Sequence, residues 1–137
     1  MKKYTVLFVC TGNAFRSQMA EGFARHFFGD KVEALSAGVM PIGLSPIAVA
    51  AMKKIGIDIS QHTSKLLTSE LIERADCVVT VCDHAQAACP VIHGKKVVHW
   101  SIPDPLKKVG TSQEEEHLFA VRDDIGERVK ELLKELI

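Results

Sequence analysis

Residues 4–17 read Tyr4-Thr5-Val6-Leu7-Phe8-Val9-Cys10-Thr11-Gly12-Asn13-Ala14-Phe15-Arg16-Ser17. The first six form a β-rich apolar run, and Cys10-Thr11-Gly12-Asn13 ends it, so the stretch reads as a buried strand entering a loop. A helix is expected next, because Met19, Ala20, Phe23, Ala24 and Phe27 recur at helical spacing, with Gly29 as its C-terminal cap. The unit is therefore strand, loop, helix, with a cysteine where the strand stops.

The same alternation continues outward. Val32 to Ala37 is a second strand ended by Gly38. Ser45-Pro46 supplies an N-cap and a first-turn proline for a helix whose stripe is Ala48, Ala51, Met52 and Ile55, stopped by Gly56. Cys77 to Val81 is a third strand and Lys96 to Trp100 a fourth. Ser112-Gln113-Glu114-Glu115 has the form of a capping box, opening a last helix striped by Leu118, Val121, Ile125, Val129, Leu132, Leu133 and Leu136. Strands alternating with helices imply right-handed crossovers, an α/β class, and a mostly parallel sheet with helices on both faces. No repeat, linker or low-complexity segment interrupts it, and residues 1–137 are expected to form one domain. Ligands of such folds bind beyond the carboxyl ends of the strands, which places Cys10 and Cys82 on the functional edge.

Composition narrows the function. Apolar residues are 47% and charged residues 25%, ordinary globular values that exclude a disordered or fibrous chain. Seventeen Lys and Arg balance seventeen Asp and Glu, so the basic surplus of a general nucleic-acid binder is missing. No apolar run is long enough to span a bilayer or to form a signal peptide, and a cytoplasmic location is expected. The four cysteines, Cys10, Cys77, Cys82 and Cys89, are then more in keeping with catalysis, redox exchange or metal binding than with structural disulfides. Cys82 and Cys89 have two other readings, as buried thiols or as zinc ligands with His84, His93 or His99, although the spacing fits no common zinc module. Cys77, within a strand, reads as a small core hydrophobe.

Cys10 to Ser17 has the form C-x5-R-S. A loop wrapped into a helix start turns consecutive N–H groups of Thr11, Gly12, Asn13, Ala14, Phe15, Arg16 and Ser17 toward one point, and the helix dipole adds positive potential there. Gly12 and Asn13 tolerate the left-handed backbone such a wrap needs. Arg16 adds a planar fork of donors for two oxygens of a tetrahedral oxyanion, and the same donors favour a Cys10 thiolate as nucleophile. A nucleotide P-loop is excluded, because G-x-x-x-x-G-K-[ST] does not occur.

Residues 5–21 resemble the active-site segment shared by low-molecular-weight protein tyrosine phosphatases and thioredoxin-coupled arsenate reductases. The likeness continues through Ser36-Ala37-Gly38, Gly56-Ile57-Asp58-Ile59-Ser60, Thr80-Val81-Cys82-Asp83, Cys89-Pro90, His99-Trp100, Asp104-Pro105 and Arg122-Asp123-Asp124-Ile125. It implies a three-layer αβα fold on a four-stranded parallel sheet of order 2-1-3-4. It implies further that Cys10 attacks arsenate, that Cys82 then attacks the Cys10 sulfur as arsenite leaves, and that a Cys82-Cys89 disulfide passes to thioredoxin. In that sheet order the first and third strands lie roughly 4.8 Å apart, within the compass of a Cys10-Cys82 disulfide. Residues 83–88 favour a short helix, and its rise of about 10 Å means that Cys82 and Cys89 can pair only if it unwinds. Asp104, before Pro105, corresponds to the general acid of both families. The alternative the resemblance leaves open is a tyrosine phosphatase using Cys10, Arg16 and Asp104. An oxyanion or metal sensor is a third class, with no recognisable output segment.

Four positions depart from the pattern, and the first two separate the families. Leu106-Lys107-Lys108 follows Asp104-Pro105 where phosphatases carry aromatic residues, and Gln18 stands where they have proline; both favour the reductases. Phe15 replaces a frequent cysteine outside the relay and is expected to pack under the loop. Asn13, Glu21, Ser36 and Thr63 match a potassium site of the reductases, but Lys65 replaces an acidic ligand, so its ammonium is expected to take the ion's place. The expected partners are arsenate, phosphate and sulfate as competing oxyanions, and thioredoxin. No tightly bound cofactor, nucleic acid or membrane is expected, and the chain is expected to be monomeric.

Overall fold

Alternation along the first strand sorts the core into two layers. In the computed structural model, which describes residues 3–81, 96–103 and 110–137, β1 spans Tyr4–Cys10 and six of its seven residues are buried. Val6 and Phe8 point to one side, packing with Met19, Ala20 and Phe23 of α1 (Arg16–Phe28), Ala48 and Met52 of α2 (Pro46–Lys53), and Ile125, Val129 and Leu133 of α4 (Glu114–Leu136). Leu7 and Val9 point to the other, with Ala37, Ala75 and Val78, and are covered by Leu67 and by Leu71 and Ile72 of α3 (Ser69–Arg74). Each fully buried Leu or Phe contributes about 1.5–3 kcal/mol relative to its exposed state, so the continuous apolar run is the main local driving force for a central strand.

β2 (Val32–Gly38), β3 (Cys77–Val81) and β4 (Lys96–Trp100) complete the sheet, in the order β2-β1-β3-β4. Every pairing is parallel, as the α/β reading requires. The register aligns Cys10 with Gly38 and Val81 with Trp100, so the carboxyl ends of the strands form one edge, with the loop after β1 at its centre.

Local signals were right where one residue type has one use. Ser45 caps α2, its hydroxyl accepting from the N–H groups of Ile47 and Ala48. Phe15 is 7% exposed and lies in the larger core. Gly29 is the C-cap of α1, in right-handed helical geometry at φ −60° and ψ −20°. Three expectations are corrected. Phe27 is exposed and stacks on Phe23, beneath the Lys130 ammonium. Helix α2 ends at Lys53, leaving Ile55 exposed beyond it and Gly56 at φ +82° in the following turn. The box at Ser112 does not form: Gln113 occupies the cap position without a side-chain bond, while the Thr111 hydroxyl accepts from the Gln113 N–H. Helix α3 is too short for its period to show in sequence. The helix expected at 83–88 lies outside the described residues.

Candidate active site

The loop from Cys10 to Phe15 is shaped by where its carbonyls go. Those of Cys10, Thr11, Gly12 and Ala14 accept from the N–H groups of Val39 (3.3 Å), Met40 (2.8 Å), Ile42 (3.0 Å) and Ser45 (3.0 Å). The carbonyl of Asn13 accepts from Gln18 Nε2 at 3.0 Å. In a trans peptide the C=O of one residue and the N–H of the next point opposite ways, and no cis bond occurs among the described residues. The N–H groups of Thr11 to Phe15 are thereby turned to the loop's other side, where that of Asn13 meets Cys10 Sγ at 3.2 Å. Asn13 itself sits at φ 47°, the left-handed conformation its short polar side chain tolerates. The turn also needs a neighbour without a side chain: a Cβ on Gly38 would lie 2.7 Å from the Thr11 carbonyl oxygen and 2.8 Å from the Asn13 nitrogen.

Ser17, wholly buried in the first turn of α1, places Oγ 2.9 Å from Cys10 Sγ. Asn13 Nδ2 donates to the same oxygen at 2.9 Å. The sulfur, 4% exposed as a residue, thus lies at the positive end of a 13-residue helix with no acidic side chain in its first turn. Arg16 Nη1 donates to the Ile102 carbonyl at 2.8 Å, which holds its guanidinium at the carboxyl end of β4. A thiol that receives the Asn13 N–H at a helix N-terminus, with the arginine of C-x5-R in the first turn of that helix, is a donor set that can bind a tetrahedral oxyanion and present sulfur to its central atom.

Beside the loop lies a buried polar cluster. Glu21 Oε1 accepts from the Ser36 hydroxyl at 2.6 Å, and Oε2 pairs with Arg25 Nε at 2.9 Å. His62 Nδ1 lies 3.1 Å from Gln18 Oε1 and 3.5 Å from Glu21 Oε2. Burial pushes the His62 imidazolium below the ordinary histidine range, although Glu21 opposes the shift. Lys65 Nζ donates to the carbonyls of Ser36 (3.0 Å) and Thr63 (3.2 Å), while its N–H donates to Asn13 Oδ1 at 2.8 Å.

The structure therefore brings together Cys10, Thr11, Gly12, Asn13, Ala14, Arg16 and Ser17, with Asn13, Glu21, Ser36, Thr63 and Lys65 alongside. Cys82, Cys89 and Asp104, with His84 and His93, lie outside the described residues. His99 bonds Thr80 Oγ1 through Nδ1 at 2.6 Å, and among the described residues no group of three or more His, Cys, Asp or Glu could hold a metal ion. Cys77 is fully buried at the other end of the sheet, aligned with Val6 and Lys96, and desolvation pushes its thiol up to about 11. Two contributors escaped the sequence reading. Segment 39–45 receives loop carbonyls through its backbone, which leaves no residue-type signal; His62 reaches the loop through Gln18, whose amide meets Asn13, and of these two only Gln18 stands out in the sequence, as a departure.

The profile of the low molecular weight phosphotyrosine protein phosphatase family matches residues 5–137. The chain belongs to this family. Within it, the arsenate reductase of Halalkalibacterium halodurans is 48% identical over 132 residues, covering 95% of each chain. Among solved structures, an arsenate reductase in its phosphate-binding state superposes with TM-score 0.82 at 31% identity, over 98% of this chain and 99% of that one. The thioredoxin-dependent arsenate reductase of Corynebacterium glutamicum superposes with TM-score 0.78 at 30% identity, over 97% of this chain and 61% of that one. This family member thus lies on the arsenate reductase branch, and no helix among its described residues is long and apolar enough to cross a membrane.

Proposed function

We propose that this chain reduces arsenate to arsenite with thioredoxin as reductant. The observation that carries the reading is the loop, whose carbonyls all bond outward while the Asn13 N–H and the Ser17 hydroxyl converge on Cys10 Sγ. Its amides and Arg16 hold arsenate, and phosphate or sulfate compete for the same donors. Cys10 thiolate attacks arsenic and an arsenate oxygen leaves as water, with Asp104 supplying a proton. Cys82 thiolate then attacks the Cys10 sulfur; the S–As bond breaks with its electron pair on arsenic, giving arsenite and a Cys10-Cys82 disulfide. Cys89 attacks Cys82 in turn, frees Cys10 and leaves a Cys82-Cys89 disulfide, which the dithiol of thioredoxin reduces.

Lys65 belongs to the same reading. Its ammonium donates to the Ser36 and Thr63 carbonyls, two of the four residues that match the potassium site, so those residues do not suit a second cation and no step is routed through one. Ester hydrolysis by the shared loop is a side activity. The deciding experiment is arsenite production with thioredoxin, thioredoxin reductase and NADPH. Cys10→Ser abolishes it, and Cys82→Ser and Cys89→Ser each stop turnover; wild-type rates in both relay variants would sink the relay. Loss of p-nitrophenyl phosphate hydrolysis in Cys10→Ser, alongside lost arsenate turnover, ties both activities to one loop.

A further inference from the structure

Gln18 is wholly buried in α1, and both ends of its amide are engaged. Nε2 faces three oxygens: the Asn13 carbonyl at 3.0 Å, the Asn13 carboxamide oxygen at 3.2 Å and the Thr63 carbonyl at 3.0 Å. Backbone carbonyls only accept, so nitrogen must face Asn13 and Thr63 and oxygen must face His62 Nδ1, 3.1 Å away. The Asn13 amide is dictated likewise. Its Oδ1 receives the Lys65 N–H at 2.8 Å as well as Gln18, so Nδ2 points to Ser17 Oγ at 2.9 Å. A hydroxyl carries one hydrogen. Ser17 Oγ, which receives Asn13 Nδ2, lies 2.9 Å from Cys10 Sγ, and toward a Cys10 thiolate, which can only accept, Ser17 is the donor.

We propose that Gln18 is a positioning residue for the Cys10 nucleophile, holding Asn13 so that each group in the series Gln18, Asn13, Ser17, Cys10 donates to the next. Donors aligned in one sense strengthen one another, and the last of them points at the sulfur. Gln18 also solves a problem created by the left-handed Asn13. The loop carbonyls of Cys10, Thr11, Gly12 and Ala14 meet backbone N–H groups, that of Gly12 the Ser64 hydroxyl as well at 3.3 Å, whereas the Asn13 carbonyl is met by the Gln18 side chain. Without Gln18, the carbonyl and carboxamide of Asn13 lose a buried donor, and Asn13 is released to turn away from Ser17. The charged groups of this region sit one bond further out: Glu21 with Arg25 and His62, and Lys65 on the Thr63 and Ser36 carbonyls.

This inference rests on Cys10 as the nucleophile of the proposed reaction, so its test avoids arsenate. Iodoacetamide alkylation of Cys10 is followed against pH in the full chain carrying Cys82→Ser and Cys89→Ser. Gln18→Met keeps the volume and removes the amide; Gln18→Glu keeps the shape and exchanges donor for acceptor. Each is expected to slow alkylation at neutral pH by about tenfold, the scale of one hydrogen bond to a charged group, and to move the pH profile to higher pH. Ser17→Ala gives a loss of similar size, and Gln18→Met added to Ser17→Ala produces none beyond it, because Gln18 acts through Ser17. Wild-type rate and profile in both Gln18 variants, or losses that multiply in the double variant, overturn the proposal. If Gln18→Met fails to give the wild-type circular dichroism spectrum, Gln18→Glu carries the same double-variant comparison. Failure of arsenate turnover in the wild type would sink the substrate assignment alone, since alkylation needs neither arsenate nor thioredoxin.

Discussion

Lys65 Nζ lies 3.0 Å from the carbonyl oxygen of Ser36, and a second donation to Thr63 at 3.2 Å fixes the ammonium between β2 and the segment that carries Thr63. A monovalent cation would need the same oxygens. Arsenate turnover is therefore expected to be the same, within about twofold, in potassium chloride and in choline chloride of equal ionic strength, the matching removing differences in screening. Lys65→Asp restores an anionic ligand and should make turnover respond to potassium. A clear stimulation of the wild type by potassium would show the assignment to be wrong.

Gly38 tests the backbone wrap. The atoms a Cβ would strike, Thr11 O and Asn13 N, both belong to the loop backbone, so neither can swing aside as a long side chain would. Gly38→Ala should cost about 1–3 kcal/mol of stability and reduce protection of Cys10 by phosphate against alkylation. A wild-type melting temperature with wild-type protection would contradict the steric argument.

His62 makes stability depend on pH. Burial lowers its folded value below the ordinary one, so between the two the unfolded chain carries a proton that the folded chain does not. Its contribution is full above the ordinary histidine range and falls as pH drops toward the folded value. Urea denaturation at about pH 7.5 and about pH 5.5 should show a larger loss in wild type than in His62→Gln, which retains a donor for Gln18 and cannot titrate. Equal losses in the two proteins would exclude the effect.

Cys77 is expected to be inert. A thiol pushed up to about 11 by burial carries little thiolate near neutrality, so mass spectrometry of native protein treated with iodoacetamide should find Cys10 labelled and Cys77 unlabelled. Cys77→Val should keep arsenate turnover and cost less than about 1.5 kcal/mol. Turnover lost without loss of stability would give Cys77 a chemical role.

What could be read in advance follows from the range of the interactions. Strand β1 is a continuous apolar run because parallel strands buried on both faces demand one, and β3, buried throughout, was legible with its observed bounds for the same reason, whereas the edge strand β4 was legible from its Val97-Val98 and Trp100. The loop was legible because a thiol, a Gly-Asn pair and an arginine at fixed spacing before a helix combine local requirements. Helix ends were less so. Gly29 caps α1 as its residue type suggests, but Ser112 carries the residue type of a cap while Gln113 takes the cap position, and α2 ends at Lys53, short of Gly56.

The sequence alone determined the alternation of strand and helix, the loop that ends β1, and the thiol and guanidinium it presents, since these rest on periodicity and on neighbours within one turn of chain. Tertiary structure alone decided how that loop is held. Val39, Met40, Ile42 and Ser45 receive its carbonyls, Gly38 leaves room beside it, and Gln18 joins it to His62 and Thr63 from 44 and 45 positions away. Backbone hydrogen bonds made across such distances carry no residue-type signature, so they exist only once β2 has been laid against β1.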